Sequence, residues 1–242
     1  IVLIIDNDKM LNIDISLTKE LDKDTEIINV YNLLILELSH LININYNKHE
    51  IIHIILSKYI INDKSFYKLP KNKTFAKKIK AEFKIICFPK LFLNDLKLNF
   101  NKINVNLNKI FCTSYLKTLS YQKKINLTKV SFLDIGLNKT TLLIYNKNNL
   151  KYIHSIPIGG YHITKDISKV FNISLDDAEK IKQSFNETET EFSYSDSYKK
   201  SNFSLRDILS KNIKIDLLKK VILFWVQEII DLSFQKLNNS EL

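Results

Sequence analysis

The sequence predicts an α/β chain in which short strands alternate with amphipathic helices. Three observations carry this. Runs rich in Ile, Val, Leu and Tyr recur with helical segments between them. Hydrophobic residues make up 45% of 242 residues, too many for a disordered chain and enough for one large domain or two smaller ones. Only 3 Gly and 3 Pro interrupt the elements.

Taken in order, IVLII and LNIDISL read as strands. A helix is expected from about Asp24, with Asp24 or Thr25 as its cap, because Ile27, Tyr31, Leu34, Leu38 and Leu41 recur at helical spacing. IIHIILSKYII is β-branched and too dense in apolar residues for an amphipathic helix, so it reads as a buried strand or a pair of strands. NDKSFYKLPKNK reads as a loop broken by Pro70. KIKAEFKIICF alternates basic and apolar residues, as a half-buried strand does, and Pro89 opens a helix through Leu91 to Leu98.

The block that follows begins with a strand, NVNLNKIFC, and a helix, SYLKTLSY. Three strands come next in quick succession: VSFLDIG, TTLLIY and YIHSIPI. YHITKDISKVF and SLDDAEKIKQSF are helices, the second with a capping box at Ser174 and Asp177. Residues 186–204 are polar and read as a loop or weak edge hairpin. The end is a long amphipathic helix with Leu217, Val221, Phe224 and Glu228 in one row and Leu218, Ile222, Trp225 and Ile229 beside it.

Composition excludes several classes. No window is expected to reach the ~18 uncharged apolar residues of a spanning helix. The longest candidate, Ile27 to Ile42, is interrupted by Asn32, Glu37 and His40, which excludes a polytopic membrane protein. Cys87 and Cys112 cannot build a disulfide framework and read as free thiols of a reducing cytoplasm. The first residue is Ile1 inside an apolar run, so the chain is expected to be a fragment lacking an N-terminal piece.

The net charge is +10, distributed as −5 over residues 1–50, +15 over 51–150 and zero over 151–242. The excess peaks at Lys64, Lys68, Lys71, Lys73, Lys77, Lys78 and Lys80. Such a patch suits phosphates, an anionic membrane surface or an acidic partner. It holds no Arg for base edges, and its aromatics are Phe66, Tyr67 and Phe75. A solvated, lysine-biased surface is therefore favoured over specific nucleic-acid binding.

His49-Glu50-Ile51-Ile52-His53 fits the H-E-x-x-H zinc-peptidase pattern. That chemistry needs a helix. The pentamer runs into a strand, where i and i+4 lie about 13 Å apart, too far for one tetrahedral ion. Ser, Cys and His form no nucleophile motif.

All three glycines, Gly136, Gly159 and Gly160, fall within 25 residues of one another. In so glycine-poor a chain they are expected where no side chain fits; the alternative is two turns that need positive φ. Asp134-Ile135-Gly136 closes a strand before a turn into Thr140-Thr141. Such a hairpin offers backbone N–H groups and hydroxyls to phosphate oxygens, and the carboxylate can hold Mg²⁺ through water.

These residues carry a family resemblance. Asp134-Ile135-Gly136 with Thr140, Ile156-Pro157-Ile158-Gly159-Gly160, Ile163-Thr164, Asp166-Ile167 and Ala178-Glu179-Lys180-Ile181-Lys182 are similar, in order and spacing, to the second lobe of the FtsA family of bacterial cell-division proteins, relatives of actin, sugar kinases and DnaK-type chaperones. HEIIHIILSKYIIND and KIKAEFKIICF resemble strands of the domain whose insertion distinguishes that family. The resemblance is strong over residues 128–182 and weak at either end.

The resemblance implies an actin-like (ribonuclease-H-like) ATPase fold with an inserted strand–helix–strand–strand domain. It implies residues 1–7 as the end of a first-lobe segment, 8–88 as the insertion, 89–125 as the rest of the first lobe and 126–242 as a truncated second lobe. It implies ATP and Mg²⁺ as cofactors, with Asp134 holding the metal. Gly136 and Thr140 would cradle phosphates, Gly159 and Gly160 would lie across from them, and Glu179 with Lys182 would reach ribose and adenine. An i,i+3 Glu/Lys pair suits that role; otherwise it is an ordinary surface ion pair. The family's second and third glycines are Leu137 and Asn138 here, Lys139 replaces its first Thr and Thr141 an Asp, which predicts a narrower turn. The implied role is structural and recruiting, with at most weak ATPase activity and no catalytic residue. Implied partners are FtsZ, further copies of the chain, other division proteins at the insertion domain, and the inner face of the cytoplasmic membrane through a helix beyond Leu242. The alternatives are a kinase-like or chaperone-like relative, or a basic nucleic-acid-binding module.

Overall fold

The computed structural model describes residues 1–70, 72–122, 124–125, 127–189 and 213–237. Contacts divide the chain into two compact units, one of Ile1–Asp134 with Thr141–Ser155, the other of Ile135–Thr140 with the described residues from Ile156 onward.

The first unit opens with β1 (Val2–Ile5), which pairs in parallel with β6 (Lys109–Cys112). Between them lies a four-stranded antiparallel sheet in the order β2-β5-β3-β4, built from β2 (Leu11–Glu26), β3 (His49–Ile61), β4 (Lys64–Phe66) and β5 (Phe75–Pro89). Helix α1 (Ile27–Asn45) packs on this sheet through Ile27, Val30, Leu34, Leu38 and Ile42, against Ile13, Ile79, Ala81, Phe83, Ile85 and Cys87. Their four-residue and three-residue spacings put the α1 positions on one stripe, and period 2 puts the β5 positions on one face.

The helix starts later than the periodicity predicts. Asp24 and Thr25 belong to β2, because sheet pairing continues to Thr25↔Ala76 and Glu26↔Phe75 and the Ile27 N–H donates to the Thr74 carbonyl. No side chain caps α1. By length and mean hydropathy this one helix among the described residues could cross a membrane, contrary to the expectation from its polar interruptions. Five of its residues are instead buried in a protein core.

IIHIILSKYII is a single strand with two register shifts. Asn62 and Asp63, both at positive φ, turn it directly into β4, where the sequence pattern predicts only loop. Asn and Asp tolerate that conformation, and Phe66 then stacks on Tyr59. β5 alternates as predicted only at its start. From Phe83 to Phe88 it is covered on both faces, by α1 on one side and by a second cluster of Ile86, Phe88, Leu93, Cys112, Leu143, Tyr145, Leu150 and Ile153 on the other. That second cluster gathers α2 (Lys90–Lys102), β6, α3 (Thr113–Gln122) and a three-stranded sheet of β7 (Lys129–Ile135), β8 (Thr140–Asn146) and β9 (Asn149–Ile156). Of NVNLNKIFC only the last four residues are strand, since Asn104 sits at positive φ.

The HEIIH pentamer lies in β3. His53 accepts the Cys112 N–H at Nε2 (3.0 Å) and stacks on Phe111, and Glu50 pairs with Lys97. Among the described residues no group of His, Cys, Asp and Glu forms a metal cluster. Cys87 and Cys112 are both buried and form no disulfide, and the Cys112 thiol donates to the Met10 sulfur at 3.6 Å.

In the second unit, α4 (Gly160–Phe171), α5 (Leu175–Glu189) and α6 (Ile215–Phe234) pack around Ile163, Ile167, Ala178, Ile181, Ile213 and Leu218. The Ser174 hydroxyl accepts the Asp177 N–H at the start of α5, as predicted. Residues 186–189, expected in a loop, continue α5, and the rest of that stretch up to residue 204 lies outside the described residues. On α6 the row of Leu218, Trp225 and Ile229 faces the core, and Phe224 of the other row is exposed.

Candidate functional site

The turn between β7 and β8 closes on itself: the Gly136 N–H donates to the Lys139 carbonyl at 2.8 Å. Leu137 and Asn138 point outward, so the two added side chains do not fill the turn as the sequence predicts. Lys139 is buried in their place, and Thr140 is fully buried with its hydroxyl donating to the Ile158 carbonyl at 2.7 Å.

Gly159 and Gly160 begin α4 directly against this turn. The Gly160 N–H donates to the Gly136 carbonyl (2.9 Å) and the Tyr161 N–H to the Leu137 carbonyl (2.8 Å). The first amides of a helix lack intrahelical acceptors, and here the turn supplies them. A Cβ on Gly159 would stand 2.4 Å from the Gly136 oxygen and 2.7 Å from the Leu137 oxygen. No glycine of this chain has positive φ. The glycine requirement is therefore one of close backbone approach, the first of the two readings the sequence left open.

Helix α5 adds the polar group of the site. Lys182 donates to the Gly160 carbonyl (3.1 Å), the Thr164 hydroxyl (2.9 Å) and Glu179 Oε2 (2.7 Å). The i,i+3 spacing places Glu179 and Lys182 on one helix face, and the Thr164 hydroxyl donates to the same carboxylate at 2.5 Å. Partial burial pushes the Glu179 pKa up, but hydrogen bonds from Lys182 and Thr164 outweigh this and hold it below the ordinary carboxylate value. The Lys182 ammonium also lies 3.3 Å from where a Gly160 Cβ would sit.

The second unit thus brings Gly136, Gly159, Gly160, Glu179 and Lys182 to one place, with Thr140 buried just behind the turn. Asp134 belongs to the first unit, where Lys117 on α3 pairs with it at 3.1 Å. Its carboxylate is the donor type Mg²⁺ prefers, and a Mg²⁺ ion bound largely by phosphates and water needs only one or two such ligands. The sequence pattern assigns no site role to Thr164 or His162. Thr164 stands within the I-T-x-D-I pattern, and His162 is the third residue after Gly159, the position from which a side chain reaches back to a helix start.

Residues 131–232 match the family model for cell division protein FtsA. The FtsA of Buchnera aphidicola subsp. Baizongia pistaciae is 31% identical over 137 residues, which are 56% of this chain and 32% of that protein. The FtsA of Bacillus subtilis is 27% identical over 135 residues, 55% of this chain and 30% of that protein. Over these residues the chain is similar to FtsA. The aligned stretches span about a third of the curated relatives' length. A solved structure of a PilM–PilN type IV pilus biogenesis complex superposes with a TM-score of 0.59 at 10% identity, covering 94% of this chain and 55% of that one. That likeness shows the actin-like fold, as the resemblance implies.

Proposed function

We propose that this FtsA-like chain is part of an actin-like cell-division protein that binds ATP with Mg²⁺ and works as a recruiting scaffold. The observation that carries the reading is the close approach of the Gly159–Gly160 backbone to the Gly136–Lys139 turn, with the Lys182 ammonium beside Gly160. Backbone packed this tightly forms a rigid wall without side chains, which is what a polyphosphate can lie against. Lys182 and Glu179 would turn from each other toward ribose and base. Asp134 would hold Mg²⁺ through water, and the ion would neutralise phosphate charge. Gly136, Thr140 and the two paired glycines shape the wall, and Lys139 adds a positive charge to a turn that is neutral in the family pattern.

On this reading, residues 8–88 are the inserted domain, 1–7 and 89–125 belong to the first lobe, and 126–242 belong to the second. The scaffold would tie FtsZ to the inner face of the cytoplasmic membrane, associate with further copies of itself and offer the insertion to other division proteins. Hydrolysis, if present, would be slow. The test is a titration of a fluorescent ATP analogue with Mg²⁺, alongside co-sedimentation with FtsZ. Saturable binding that is lost in Asp134→Ala and Lys182→Ala is expected. Equal binding by all three proteins would remove the assigned cleft, and co-sedimentation without nucleotide binding would leave the tethering role alone.

A further inference from the structure

We infer that His162 is the positioning residue of the glycine turn: its imidazole accepts the Gly159 backbone N–H and ties the turn to the last helix through Trp225. Gly159 is the N-cap of α4, in extended conformation (φ −157°, ψ −167°). A helix start is ordinarily stiffened by a capping Ser, Thr, Asp or Asn. That route is closed here, because any Cβ at position 159 meets two carbonyl oxygens of the facing turn. The stiffening group must come from another position. It comes from the third helical residue, where His162 Nδ1 accepts the Gly159 N–H at 3.2 Å while the His162 N–H donates to the Gly159 carbonyl at 3.0 Å. This is the half of a capping box that needs no side chain on the N-cap.

His162 is itself held. Its ring lies 5.7 Å from that of Trp225 on α6. Trp225 is fixed in turn by its indole N–H, which donates to Asp166 at 2.8 Å, one helical turn beyond His162. The start of α4, the glycine turn and α6 therefore form one clamp. Trp225 is the sole tryptophan of the chain, so its fluorescence reports the state of this clamp directly. The consequence for ligand binding rests on the nucleotide reading above; the positioning itself does not.

The experiment compares wild type, His162→Ala and His162→Asn by amide hydrogen exchange and Trp225 emission, then by titration with a fluorescent ATP analogue. Asn at this position can still accept through its side-chain oxygen, but it has no ring to meet Trp225. His162→Ala should exchange the Gly159 amide roughly fivefold faster, the worth of one net hydrogen bond. It should also shift Trp225 emission, and exchange inside α5 should stay unchanged as evidence that the second unit is folded. His162→Asn should restore the exchange rate but not the emission. Nucleotide affinity should follow the exchange rate, weakening in the Ala variant and recovering in the Asn variant. An unchanged Gly159 exchange rate in His162→Ala would overturn the inference whatever the nucleotide data. A wild type that binds no nucleotide would overturn the nucleotide reading, and the exchange comparison would still decide the role of His162.

Discussion

The four-stranded sheet with α1 and the glycine crossing of α4 are held together in opposite ways. The sheet is held by bulk: Leu34, Leu38 and Ile42 bury completely against Phe83, Ile85 and Cys87, and no single polar contact decides the packing. The crossing is held by particular atoms: two carbonyls of a turn, two amides of a helix start, a missing Cβ and one ammonium with three acceptors. Bulk packing tolerates exchange of one apolar residue for another of similar volume, whereas a crossing of this kind has no substitutes. A chain under strong compositional bias toward Ile, Asn and Lys can keep the first kind of region while its sequence drifts. It can keep the second only by retaining glycine at position 159, where a Cβ would meet the backbone oxygens of Gly136 and Leu137.

Two substitutions should separate these regimes. Leu38→Ala removes fully buried volume and should destabilise the first unit by about 4 kcal/mol. Leu38→Met should recover most of that loss, because volume is what matters there. Gly159→Ala adds one methyl group and should destabilise the second unit by about 3 kcal/mol, since backbone rather than a flexible side chain must yield. Gly159→Ser should be no better, although Ser is a good N-cap elsewhere. Urea denaturation followed by far-UV circular dichroism and by Trp225 emission checks both. Trp225 lies in the second unit, so the two probes should diverge in opposite senses for the two substitutions. A Gly159→Ser variant as stable as wild type would break the comparison.

Acid sharpens it further. Burial lowers the His53 pKa from 6.5 to about 4, so the folded first unit favours the neutral ring, which accepts the Cys112 N–H. A depressed pKa contributes stability that is fully present above about pH 6.5 and is lost as pH falls toward 4. Glu179 is also lowered, so its contribution in the second unit is present above the ordinary carboxylate pKa and fades as pH falls below it. The first unit should therefore weaken earlier on acidification than the second. His53→Gln, which keeps an acceptor but does not titrate in this range, should flatten the first unit's midpoint between pH 6.5 and 4. A wild-type midpoint already flat across that interval would contradict the assignment.

Most of the architecture was legible because periodicity is local. The stripe of α1, the alternation of β5 up to Glu82, the hairpin strands around Tyr145 and the capping of α5 by Ser174 all follow from residues a few positions apart. Boundaries failed where a distant partner decided the backbone. Asp24 and Thr25 have cap chemistry but are kept extended by Ala76 and Phe75, which lie across the sheet. Lys64 to Phe66 look like loop until Tyr59 offers a ring to stack on. In the site, the three glycines announced a close approach, but not what approached. The carbonyls of Gly136 and Leu137 leave no mark in a sequence, and neither does the choice of Lys182 to spend its three N–H groups on Gly160, Thr164 and Glu179. The role of His162 leaves no local mark either, because it depends on Gly159 being unable to cap itself.

The most direct measurement is a map of backbone amide chemical shifts on adding a non-hydrolysable ATP analogue with Mg²⁺. The account predicts saturable changes at Gly136 to Thr140, Gly159 to Thr164 and Glu179 to Lys182, with the β2-β5-β3 sheet silent. Saturable changes centred on the lysines of that sheet, or no changes anywhere up to millimolar ligand, would contradict it.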